Sequence, residues 1–107
     1  MKIVYIAHAV GGNVSGNLAD LRRIIRKINK GGDGVVPFAP YYADVVSLDD
    51  SDPADRARGI KNNIAILESG CVKELWLTGD VISPGMTEEV KLAERLGITV
   101  KNLIKFF

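Results

Sequence analysis

The sequence predicts an α/β domain, a Rossmann-like parallel sheet of four to five strands with helices on both faces. Two observations carry that expectation. Short β-branched runs alternate with longer segments of helical period, which is the pattern of βαβ units. The first of those runs, Ile3-Val4-Tyr5-Ile6, is apolar without a break, as a strand covered on both faces should be.

Taken in order, Lys2 to His8 is the first strand, followed by the glycine turn Ala9-Val10-Gly11-Gly12-Asn13. A helix from about Gly16 to Asn29 places Leu18, Leu21, Ile25 and Ile28 at helical spacing, and Gly31-Gly32-Asp33-Gly34 ends it. Val35-Val36-Pro37-Phe38 is a short strand whose proline suits a sheet edge. Ala39 to Ser51 reads as a loop carrying Tyr41 and Tyr42. Asp52-Pro53-Ala54-Asp55 then opens a helix with an aspartate cap, a first-position proline and an acid in the first turn. That helix reaches about Ser69, with Ala57, Ile60, Ile64 and Leu67 expected inward. Glu74 to Leu77 is the third strand, Ser83 to Leu96 the next helix, and Ile98 to Val100 the fourth strand. The tail, Lys101 to Phe107, is too apolar to hang free.

Length and composition narrow the function classes. The 107 residues make one domain, 1–107, with one core. A net charge of +1 gives no footprint for a nucleic-acid backbone, and the cluster Arg22, Arg23, Arg26, Lys27, Lys30 reads as a solvated helix face. One cysteine, Cys71, excludes an internal disulfide and a cysteine-built zinc site, and one histidine, His8, excludes a histidine-rich metal site. A reducing, cytoplasmic setting is expected. No apolar run approaches the roughly 20 residues that cross a bilayer, so no membrane partner is expected.

The chemistry points to Glu89. At 100° per residue Met86, Val90, Ala93 and Leu96 form one stripe, and Glu89 projects with them, while Glu88, Lys91, Glu94 and Arg95 point to solvent. An inward carboxylate costs several kcal/mol unless it is hydrogen-bonded. It also follows Ser83-Pro84-Gly85, a helix start whose free N–H groups attract anions. A partly desolvated carboxylate beside such a turn suits a nucleophile or general base.

Parallel sheets bind ligands beyond the carboxyl ends of their strands, and that rim holds His8 to Asn13, Phe38 to Tyr42 and Thr78 to Gly85. Gly11-Gly12 can cradle a phosphate with backbone amides or simply reverse the chain. It is neither the dinucleotide fingerprint nor a P-loop. Tyr41 and Tyr42 suit stacking on a nucleobase, and equally packing under a loop or across a subunit contact. His8 is either a ligand contact or a satisfied structural histidine. Asn63 and Arg56 project toward the apolar side of their helix. The acids Asp49, Asp50, Asp52 and Asp55 lack the spacing of a calcium loop and read as capping and solvation.

The segments "KIVYIAHAVGG", "VVPFAPYYA" and "RGIKNNIAILESGCVKELWLTGDVISPGMTEEVKLAERLGITV" together resemble the nucleoside 2-deoxyribosyltransferase-like superfamily, and most closely a compact branch found in bacteria and their phages. The most specific piece is Ser83-x-Gly85-x-x-x-Glu89, followed by Ala93 and Gly97-Ile98-Thr99-Val100. The resemblance implies cleavage of a base–deoxyribose bond, with Glu89 attacking the anomeric carbon as in retaining glycosidases. It implies Tyr5 as the neighbour of Glu89, and Ser83 as a 5′-phosphate contact, which favours a nucleotide over a free nucleoside. Asn63 falls where the superfamily carries an aspartate that assists base and sugar. An asparagine keeps the shape and an acceptor but carries no proton, leaving Asp80 or His8 as stand-ins. A small-molecule nucleoside or nucleotide partner, no cofactor, no metal and a homo-oligomer whose subunits complete each other's sites follow as expectations. The competing expectation is a binding module on the same flavodoxin-type fold that does not turn its ligand over.

Overall fold

The structure, a computed structural model, describes residues 1–107. It contains β1 (Lys2–Ala7), α1 (Val14–Lys30), β2 (Val35–Phe38), α2 (Tyr41–Ser47), α3 (Pro53–Glu68), β3 (Glu74–Leu77), α4 (Pro84–Arg95) and β4 (Thr99–Asn102). All four strands are parallel, in the order β2-β1-β3-β4. The expected Rossmann-like α/β architecture is therefore present, with four strands. Right-handed crossovers then put α1 on one face and α3 and α4 on the other, because β1 to β2 runs one way along the sheet and the later connections run the other.

The register shows which side chains share a face. Tyr5 pairs with Leu75, and Leu75 with Val100; Ile6 pairs with Trp76, and Trp76 with Lys101. Tyr5 and Leu75 therefore face α4, while Ile6 and Trp76 face α1. Val4, Tyr5, Ile6 and Ala7 are completely buried at the centre of one apolar cluster, to which α1 contributes Leu21 and Ile24 and α4 contributes Met86, Leu92 and Ala93.

Local signals act as the sequence implies at both acid- and serine-capped helices. Asp52 accepts from the Ala54 N–H at 2.9 Å with Pro53 at the first position. Ser83 accepts from the Met86 N–H at 3.3 Å with Pro84 in the same place.

Three expectations are corrected. The presumed loop from Ala39 to Ser51 holds α2: Tyr41 is drawn into the core, and its hydroxyl donates to the Ile6 carbonyl at 2.6 Å, which fixes a short helix there. In α3 only Leu67 of the four residues expected inward is buried. Ala57 is exposed, Ile60 is 58% exposed and Ile64 40%, because the inward arc is Asp55, Gly59, Asn62, Asn63 and Ile66. Leu96 is also exposed, since α4 has ended and Leu92 takes the buried place beside Ala93. The tail does fold back, stacking Phe107 on Trp76 at 6.3 Å. No helix is long and apolar enough to cross a membrane.

Candidate functional site

The carboxyl end of β1 and the middle of α4 meet over one partly buried hydrogen bond. Tyr5, with no exposed surface, donates its hydroxyl to Glu89 Oε2. Glu89 is half-buried, five residues past the Pro84 start of α4, and has no cationic partner. Burial pushes its carboxyl up to about 7, and the Tyr5 hydrogen bond pulls partly against that. The group is therefore about half ionised at neutral pH. Burial, and next the adjoining Glu89 charge, hold the Tyr5 hydroxyl far above the usual phenol range, so it stays a donor. With Oε2 held, Oε1 makes no hydrogen bond within the chain.

Tyr41 completes this cluster from α2. Its ring sits 5.9 Å from that of Tyr5 at 42°, and burial followed by the Glu89 charge keeps its hydroxyl protonated. Tyr41 is thus a wall behind Tyr5, with its polar atom already engaged, and not a free stacking platform. Ser83 and Gly85 lie at the start of α4, where the Ser83 hydroxyl accepts one helix N–H and keeps its own hydrogen to donate. Asn63, half-buried on α3, which packs against α4, has an Oδ1 without any hydrogen-bond partner. An orphaned buried acceptor costs about 1–3 kcal/mol and is satisfied by a donor on a ligand or a water.

The side chains of the other candidates make different contacts. His8 is buried, with Nδ1 2.6 Å from the Ala9 carbonyl and Nε2 2.8 Å from Asp20 Oδ2, so both ring nitrogens are engaged. Asp20 is held in turn by Arg23 at 2.8 Å, and its carboxyl lies below the usual range, chiefly through the His8 contact. Asp20 was not picked out from the sequence, where a lone acid on a solvated helix looks unremarkable. Asp80 is exposed beyond β3. Tyr42 accepts from Arg22 Nη1 at 3.0 Å on the flank of α1. Gly11 and Gly12 are exposed. Gly12 requires its positive φ of 87°, and the Gly11 carbonyl accepts from Asn17 at 3.3 Å, which ties the turn to α1.

Two shallow surface depressions lie elsewhere, one of about 270 Å³ lined by Leu67, Val72 and Leu96 among others, one of about 460 Å³ beside Arg22 and Tyr42. No group of three or more His, Cys, Asp or Glu side chains is placed to hold a metal ion.

The chain is thus a small parallel α/β domain in which a carboxylate without a counter-ion lies against a strand tyrosine. Residues 2–103 match the family described as a domain of unknown function, DUF7768, and the chain belongs to that family. No curated protein matches it.

Proposed function

We propose that this protein is an N-glycosidase or deoxyribosyltransferase of the nucleoside 2-deoxyribosyltransferase-like kind, acting on a small nucleoside or nucleotide. The observation that carries the reading is Glu89: inward on α4, without a counter-ion, raised to about 7 and held through one oxygen by Tyr5. Ionised Glu89 attacks the anomeric carbon through Oε1. The C–N bond breaks, its electron pair leaves on the base, and the base takes a proton from solvent. The resulting sugar ester is opened by water, or by a second base, which restores the carboxylate.

Tyr5 orients Glu89 and steadies its charge. The Ser83 hydroxyl and the Gly85 N–H, the one left free in the first turn of α4, receive a 5′-phosphate, using the partial positive charge of the helix start. The Asn63 acceptor takes a hydrogen bond from sugar or base. A cytoplasmic location fits this role.

Asn63 also favours a second reading, a module that binds a nucleotide without cleaving it, because no proton-carrying side chain joins Glu89 from α3. Incubation with deoxynucleosides and their 5′-monophosphates, followed by chromatography for free base, separates the two. Base release lost in Glu89→Gln supports the enzyme. Release that survives the substitution removes Glu89 from the mechanism, and saturable binding without release supports the module.

A further inference from the structure

The outward face of α3 carries a pattern that its own chain leaves unused. Arg56, Ile60, Ile64 and Glu68 follow one another at four-residue intervals and all are exposed, Ile60 by 58% and Ile64 by 40%. Spaced so, they make one ridge about 18 Å long. Arg56 and Glu68 take part in no ion pair. The opposite shoulder of α3 is occupied by α2, where Asn62 Nδ2 donates to Asp44 Oδ1 at 3.3 Å and Gly59 sits against the Asp44 side chain. The ridge of isoleucines lies on the free side, with Ala57 exposed beside it.

Its order is what identifies the occupant. Arg56 and Glu68 stand at equal distances on either side of the midpoint between Ile60 and Ile64. Turned by a two-fold axis through that midpoint, a second α3 runs antiparallel to the first and sets Ile60 of one copy against Ile64 of the other. The same rotation brings Arg56 of each copy to Glu68 of its mate, twice over. A ridge that is positive at one end, apolar in the middle and negative at the other is complementary to itself, as an isologous contact requires. We propose that a second copy of this chain docks on α3 through this ridge, forming a two-fold dimer. The contact is independent of any chemistry at Glu89.

Sedimentation over a concentration series tests it directly. The wild-type chain is expected to pass from 11.6 kDa to twice that mass. Arg56→Glu places two like-charged pairs across the axis, and the dimer dissociation constant should rise by about tenfold. The double variant Arg56→Glu with Glu68→Arg reverses the ridge and should recover the wild-type constant. Ile60→Asp with Ile64→Asp should stay monomeric while keeping its circular dichroism and melting behaviour. A chain that is monomeric at every concentration overturns the proposal. So does a dimer that tolerates the two aspartates, or one that the double reversal fails to restore.

Discussion

Tyr5 and Glu89 show how far one side chain depends on its neighbour. The carboxyl is raised by burial, and the phenol is the opposing influence. Removing the phenol oxygen should therefore drive the Glu89 carboxyl further up, beyond about 7, because its ionised form loses its donor while the burial stays. Carbon-detected NMR titration of the glutamate side chain in Tyr5→Phe measures this. An unchanged or lowered titration midpoint would show that the hydrogen bond does not set the charge. Glu89 was legible in the sequence because a carboxylate on an apolar stripe violates the helical pattern, and such violations stand out against a regular period. Asn63 also lies inward, but on the polar arc of α3 and not on the isoleucine stripe that the sequence suggested. The engagement of His8 by Asp20 was not legible, since it joins residues twelve apart through a turn whose path no periodicity fixes.

At the scale of elements, the junction from β3 to α4 is held by a close approach. Gly79 has φ +87°, and a Cβ added there would stand 2.9 Å from His8 Nε2 and 3.0 Å from its Cδ2. Gly70, with φ +84°, has nothing within 4 Å of the same position. Alanine at either site has the left-handed cost of about 1–2 kcal/mol. At Gly79 it must also displace the buried His8 ring from Asp20, adding about 1–3 kcal/mol. Urea unfolding of Gly79→Ala and Gly70→Ala should thus differ by at least about 1 kcal/mol, and equal losses would mean that the ring yields freely. The same scale explains the misread face of α3. Its periodicity offers two stripes, and the apolar one looks inward when α2 is taken for a loop. Once α2 docks on Gly59 and Asn62, the polar arc turns in and the isoleucines turn out. Which stripe wins is decided by a tertiary neighbour, and it is the local sequence of α2, with Pro40 ahead of two tyrosines, that disguised that neighbour. Helix capping needed no such information, because cap chemistry is set locally.

Across the whole molecule, two carboxylates set opposite limits on stability. Glu74 lies on the sheet face that α1 leaves open, accepting from Lys2 Nζ of β1 at 2.6 Å, Lys101 Nζ of β4 at 3.1 Å and Trp76 Nε1 at 2.8 Å. It thereby ties three strands together, and those bonds, Lys2 first, hold its carboxyl down at about 2. A carboxyl lowered on folding stabilises the protein above its unfolded value near 4.5, and that contribution is lost as the pH falls toward 2. The half-exposed lysines screen the pair, so it is worth about 1 kcal/mol. Asp20, lowered by His8, acts in the same direction. Glu89 acts in the other direction. Its folded carboxyl binds a proton more tightly than the unfolded one, so stability falls as the pH rises from about 4.5 through about 7, by about 2–3 kcal/mol. These slopes meet in acidic solution, where the unfolding free energy should peak at about pH 4 to 4.5. Denaturant unfolding from pH 3 to 8 should show that maximum in the wild type. Glu89→Gln should flatten the neutral side and leave the acid side, while Glu74→Gln should flatten the acid side and lower the plateau. A wild-type profile still rising at pH 7 would mean that Glu89 is ionised in the folded chain without penalty, and its special environment would then have no energetic content.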